Sequence, residues 1–156
     1  MGLQKDMLTR PVAELLIKPG VLVSPETTVG EAIRRMREHR QGSVIVVDAN
    51  GKPLGRFSEH QIANLIVNRP GYRDEPVSEH IREYWGCVCL SDPIVNVAHK
   101  LQSYHQRYVV VVDGEGRAVG VVGQRGLMIY IAEHFPYEVK AQSMDAAVAI
   151  NDREGA

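Results

Sequence analysis

The sequence predicts an α/β fold made of two copies of one β-α-β-β-α unit, and three observations carry that reading. The first is self-similarity at a fixed offset. Pro11, Val12 and Glu14 recur 65 residues later as Pro76, Val77 and Glu79, Val23 recurs as Val88, and Gly51 and Gly55 recur as Gly116 and Gly120, without a gap. A period of this length marks a duplicated structural unit. The second is the run Val44-Ile45-Val46-Val47-Asp48, which recurs as Val109-Val110-Val111-Val112-Asp113. It is short, β-branched and apolar at consecutive positions, as a strand covered on both faces is. The third is a helical periodicity ahead of each run. Val29, Ala32, Ile33 and Met36 hold the spacing that Ile94, Val97, Ala98 and Leu101 repeat, one face of a helix each time.

The elements follow in order. Residues 1–10 are a lead, 11–69 the first repeat, 76–135 the second and 136–156 a tail. Val12 to Ile17 reads as a short helical lead. Val21 to Val23, between Pro19-Gly20 and Ser24-Pro25, reads as a short strand. Thr28-x-x-Glu31 is a capping box for the next helix, which Gly42 is expected to stop. Ser43 to Val47 is a strand, Asp48 to Gly51 a turn and Pro53 to Phe57 the next strand. Glu59 to Asn68 is a helix with Ile62, Leu65 and Ile66 on one face. In the second repeat, Asp92 and Pro93 supply an N-cap and a first-turn proline. Tyr108 to Val112 is the strand, Asp113 to Gly116 the turn and Ala118 to Val122 the following strand. Leu127, Tyr130 and Ile131 repeat the face of Ile62, Leu65 and Ile66. The link from Asn68 to Glu75 is short and polar. A helical turn is expected at Ala146 to Ile150, and fraying of the last six residues.

Net charge is −1 and the pI about 6.6. Such a balance offers no long-range attraction to nucleic acid or to an anionic membrane, so neither is expected as a partner. No stretch approaches 18 apolar residues, and Met1 to Arg10 has no apolar segment of the kind an export signal needs. With two cysteines, Cys87 and Cys89, a reducing cytoplasm is the expected location. Cys87-x-Cys89 places both thiols on one strand face. A metal site needs further ligands, and no second Cys pair or suitably spaced His follows, so packing is the reading there. Arg34, Arg35, Arg37 and Arg40, interleaved with Glu31 and Glu38, read as a solvated basic helix face. The six histidines form no metal motif, no nucleophile–base pair stands out, and no enzyme activity is expected.

The duplicated order of elements, with Val21-x-Val23-x-Pro25-x-Thr27-Thr28-Val29-x-Glu31-Ala32, the apolar strand ending in Asp48, and Gly55-Arg56-Phe57-Ser58-Glu59-His60-Gln61-Ile62, resembles a tandem pair of cystathionine-β-synthase (CBS) domains, a Bateman module. The resemblance covers about residues 6–135. It implies two units related by a pseudo-twofold axis and packed through their sheets. It also implies a homodimer, and a stand-alone, non-enzymatic regulatory module acting on a protein partner in trans. The ligand implied is AMP, ADP, ATP or another adenosyl compound held between the repeats, with no required cofactor. The alternative is a ligand-free scaffold or interaction module with degenerate nucleotide sites.

The family's nucleotide signature is Gly, two apolar residues, Ser or Thr, two residues, then Asp. The hydroxyl lies at a helix start suited to phosphate and the carboxylate accepts from ribose. The first repeat keeps Ser58 but carries Gln61 in place of the acid, and an amide loses the added strength of a charged acceptor. The second repeat has Gly123 and Gly126 at both polar positions. His60 and Arg125 precede the lost acids, either as phosphate contacts or as solvated first-turn side chains. Ser58 also reads simply as an N-cap, and the two glycines as points of close approach. Gly20, Val21 and Val44 are adenine contacts by resemblance alone, and Tyr84 and Trp85 stand where the family often faces the adenine, or else pack in the core or a dimer contact. On side chains alone, the cleft of Ser58, His60 and Gln61 is expected to hold a nucleotide better than that of Gly123, Arg125 and Gly126.

Overall fold

A computed structural model describes residues 2–83, 86–103 and 106–135. Tyr84, Trp85, His105 and the expected turn at 146–150 lie outside the described residues. The elements are α1 (Leu3–Thr9), β1 (Leu22–Val23), α2 (Val29–Glu38), β2 (Ser43–Val47), β3 (Pro53–Ser58), α3 (Glu59–Asn68), β4 (Arg82–Glu83), β5 (Cys87–Cys89), α4 (Val95–Ser103), β6 (Tyr108–Val112), β7 (Ala118–Gly123) and α5 (Gln124–His134).

The two repeats have the same topology. In the first, β1 runs parallel to β2 and β2 antiparallel to β3; in the second, β5, β6 and β7 repeat this arrangement. Both hairpins shift register at the same place, between Val46 and Val47 and between Val111 and Val112. Each turns on a glycine with positive φ, Gly51 at 81° and Gly116 at 80°, a conformation that glycine enters without steric cost. The Asp48 and Asp113 carboxylates accept backbone N–H groups inside these turns.

Packing alternates with the strand period. Val44 and Val46 of β2 lie in one core with Val29, Ala32, Met36 and Phe57. Val109 and Val111 of β6 lie in a second core with Ile94, Val97 and Tyr130. The intervening Ile45 and Val110 are each 2% exposed, yet belong to neither core. They sit on the opposite faces of their sheets, Ile45 near Val121 of the other repeat, both within 4 Å of where a Cβ on Gly20 would stand. The two halves therefore pack through their sheets, as expected, with Ala118 N–H donating to Gly51 O across the junction at 2.9 Å.

The leads are exchanged between the halves. Val12 and Leu15, with Met7 of α1 and Ile17, pack into the core of the second repeat. Val77, with Tyr72 and Ile81, packs into the core of the first. Pro11 bridges Pro93, Thr28 bridges Pro76, and Lys18 bridges Val121. β4 pairs with β3, so the first sheet is completed by the start of the second repeat.

Several local expectations are corrected. The lead is a single 3₁₀ turn at Val12–Glu14, preceded by the unexpected α1. α2 ends at Glu38 on a left-handed Arg40 rather than at Gly42. Ile66 is 62% exposed, leaving Leu65 as the buried residue of α3. The Asp92 carboxylate accepts from Cys89 N at 2.8 Å instead of capping α4. Thr28 does cap α2, accepting from Glu31 N at 3.2 Å.

Candidate functional site

The exchange of leads builds the candidate site. The stretch from Leu16 to Lys18 crosses β7, with Lys18 N–H donating to Val121 O at 2.9 Å and Val121 N–H to Lys18 O at 2.8 Å. The Gln41 amide donates to Pro19 O at 2.9 Å, which ties the α2–β2 loop to the same stretch. Between this stretch, the loop, and the β7–α5 corner lies a cleft of about 620 Å³. That is within the usual range for small-molecule sites. The first repeat contributes Lys18, Arg40 and Glu59 to its lining, the second Arg107, Tyr108 and Arg125.

Gly123 and Gly126 also line this cleft, and the structure explains why both are glycine. A Cβ on Gly123 would lie 2.9 Å from Arg107 O, and one on Gly126 3.0 Å from Val122 Cγ2 and 3.3 Å from Leu16 O. Backbone occupies the space that a serine at 123 would need, and a side chain at 126 would crowd the Val122 methyl and Leu16 O. What remains for a ligand is charge. Four cations, Lys18, Arg40, Arg107 and Arg125, face one carboxylate, Glu59. Elsewhere the arginines are commonly spent on ion pairs: Arg10, Arg34, Arg35, Arg69 and Arg117 all have carboxylate partners. Among the described residues none of the four cleft cations has one.

A smaller cleft of about 260 Å³ adjoins the first, sharing Gly42, Glu59, Arg107 and Tyr108 with it. Ser58, His60 and Arg56 complete its wall. This cleft is largely spent on its own contacts. Ser58 and Gln61 form a capping box, with Gln61 Oε1 accepting Ser58 N–H at 2.9 Å and also the Ser58 hydroxyl. The Arg56 guanidinium lies over the Tyr108 ring, 5.6 Å from its centroid. Ser43 Oγ donates to the Tyr108 hydroxyl at 3.3 Å, a contact between residues equivalent in the two repeats.

Of the sequence-predicted residues, the larger cleft gathers Gly123, Arg125 and Gly126, and the smaller gathers Ser58 and His60 but not Gln61. Gly20, Val21 and Val44 line neither. The side chains of Val21 and Val44 are buried in the first core, and Gly20 lies against Ile45, whose Cδ1 a Cβ would meet at 2.8 Å. Sequence reasoning missed Lys18, Arg40, Arg56, Arg107 and Tyr108. Only Arg56 lies within a corner motif; Lys18, Arg40, Arg107 and Tyr108 carried no local signal, and the fold alone brings them to the clefts.

Other groups are accounted for locally. Arg34 and Arg35 hold Glu31 down to about 2, so half of the basic face of α2 is neutralised by its own acids. A third hollow, also about 620 Å³, lies by β1, but its Arg35 is paired with Glu31 and bonded to Leu22 O. Glu75, Glu79 and His80 come close together, with Glu75 already bonded to Arg69 at 2.9 Å and to His80 at 2.6 Å. Burial pushes the Cys87 thiol up, and both cysteines are half-buried, in line with packing. Among the described residues no helix is long and apolar enough to cross a membrane.

Comparison with known proteins places these features in a family. The CBS domain family model matches residues 6–68 and 80–133. A CBS domain protein from Pyrobaculum aerophilum, solved in complex with AMP, is 27% identical, with 75% of this chain and 89% of that one covered and a TM-score of 0.67. An uncharacterized conserved protein from Pyrococcus horikoshii is 26% identical, with 79% and 92% covered and a TM-score of 0.65. A CBS domain pair solved with 5′-methylthioadenosine and S-adenosyl-L-methionine shares the fold at 22% identity and a TM-score of 0.67, with 80% and 98% covered. An uncharacterized protein of Methanopyrus kandleri is 28% identical over 118 residues, 75% of this chain and 60% of that protein. The two matched segments, the duplicated topology and the clefts at the junction of the repeats together show that the chain belongs to the CBS domain family, as a tandem pair.

Proposed function

We propose that this CBS pair is a non-catalytic regulatory module that binds an adenine nucleotide, phosphates first, in the larger cleft and passes the occupancy to a partner protein. The observation that carries this reading is the set of four cations around a cleft of about 620 Å³, none with a carboxylate partner among the described residues, in a chain whose net charge is −1. The solved AMP complex of the Pyrobaculum aerophilum relative supports the ligand class. Geometry also supports an order of the two clefts opposite to the one expected from side chains alone. The smaller cleft falls below the usual size of a ligand site, and its Ser43, Arg56, Ser58 and Tyr108 are engaged in local contacts. That self-filling favours a second reading, in which this cleft is purely structural.

Thermal denaturation with AMP, ADP and ATP tests the proposal. A ligand at 100 times its dissociation constant stabilises by about 2.7 kcal/mol, and the effect is expected to shrink with added salt and in Arg125→Ala. No shift at millimolar nucleotide would leave the scaffold reading in its place. A shift lost in Ser58→Ala but kept in Arg125→Ala would move the site to the smaller cleft. The apolar residues left exposed on α3 and α5, Ile66 at 62%, Val67 at 80% and Met128 at 53%, support assembly as a homodimer. Sedimentation at micromolar concentration should give about twice 17.3 kDa; a monomer mass would refute this.

A further inference from the structure

Arg40 is the one non-glycine residue with a left-handed backbone among the described residues, at φ 52°. It stands just past the end of α2. Gln41 N–H donates to Met36 O at 2.9 Å and Arg40 N–H to Arg37 O at 3.2 Å. These are the two bonds of a Schellman motif, and Arg40 holds the position where glycine is usual because a Cβ crowds its own backbone there. Helix termination therefore argues against arginine at this place. Backbone strain retained at the edge of a cleft is the pattern of a residue kept for function.

The Arg40 side chain is exposed at the rim of the larger cleft. The Gln41–Pro19 bond holds that rim against the stretch carrying Lys18. Arg125 lies in the first turn of α5, where a helix start already favours one phosphate. Arg40 comes from the other repeat. Four cations against Glu59 leave a net three positive charges in the cleft, and a single phosphate group supplies only about −1.5 to −2. The surplus charge calls for more than one phosphate.

We propose that Arg40 is the specificity-determining residue of this cleft: it meets phosphate beyond the first and makes the site selective for nucleoside di- and triphosphates over monophosphates. The inference rests on the nucleotide reading above. Calorimetry on the full chain, at fixed ionic strength and without divalent cations, compares adenosine, AMP, ADP and ATP. ADP and ATP should bind wild type about tenfold or more tightly than AMP, the scale of one charge-assisted hydrogen bond. In Arg40→Gly that advantage should vanish, with ADP and ATP losing about tenfold more affinity than AMP does. The same variant should unfold at a temperature no lower than wild type, because glycine suits the left-handed position. Arg37→Ala, one turn position away on α2 and outside this cleft, should bind as wild type does. If no nucleotide binds wild type, the reading and the inference fall together. If AMP binds as tightly as ADP, or if Arg40→Gly loses stability and both ligands equally, the nucleotide reading stands and the role of Arg40 is refuted.

Discussion

Single residues in this chain are dictated less by their own conformation than by what crosses them. Gly120 is the sharpest case. A Cβ there would lie 2.5 Å from Lys18 O and 2.6 Å from Ile17 Cγ2, and the first of these is a backbone carbonyl fixed by accepting from Val121 N–H at 2.8 Å. Gly120→Ala is expected to destabilise the protein by about 1–3 kcal/mol, the usual cost of overpacking, measured by urea denaturation. A change within about 0.5 kcal/mol, as for an ordinary surface site, would mean that the stretch does not cross β7 so closely. The repeat made Gly51 and Gly55 recognisable in advance as Gly116 and Gly120. It could not say that Arg107 O lies 2.9 Å from where a Cβ on Gly123 would stand, or that Leu16 O comes within 3.3 Å of one on Gly126. A contact of that kind is set by a segment distant in the chain, and glycine alone does not name it.

At the scale of the element, α2 was legible in almost every detail. Its apolar spacing, its Thr28 cap and its acidic first turn are all local properties, and local properties are written in short stretches of sequence. Its electrostatics follow. Side-chain hydrogen bonds from Arg34 and then Arg35 lower the Glu31 carboxyl from 4.5 to about 2. For an acid whose folded value is depressed, the stabilising contribution is present above the ordinary value and lost as pH falls through the folded one. Helix content should therefore hold down to pH 4.5 and the Glu31 contribution should disappear between 4.5 and about 2. Because the pair is exposed, its contribution is small and screened by salt. Carbon-detected NMR titration of Glu31 should show the midpoint rising toward 4.5 in Arg34→Ala; an unmoved midpoint would deny the pairing. The end of α2 was misread because Gly42 looked like the natural stop. The actual stop places an arginine in a left-handed position, against local preference. Local rules fail there, at the residue assigned above to ligand specificity, and such failures are expected at functional sites.

At the scale of the whole molecule, the exchanged leads make the two repeats one cooperative body. Val12 and Val77 are both fully buried, each in the core of the other repeat. Val12→Ala is expected to cost about 2 kcal/mol, and to lower the unfolding midpoint equally for probes in the first and second repeats. Two separated transitions in denaturant, with only the second repeat weakened, would show that the halves fold independently.

The duplicated order of elements within each repeat, the apolar face of α2 and the glycine turns were determined by the sequence alone, because each arises from interactions within a few residues or from comparison of two copies; α1, β4 and the exposure of Ile66 were not. Ser58 and His60 were placed near a cleft for the same reason, by their local motif. Only the tertiary structure decided that residues 11–17 pack with the second repeat and Tyr72 to Ile81 with the first. Swapped and unswapped leads bury the same apolar side chains and read identically in sequence. That choice in turn brought Lys18, Arg40, Arg107 and Arg125 around one cleft. Charge on an exposed side chain carries no periodicity of its own, so its neighbours become known only when distant segments are brought together.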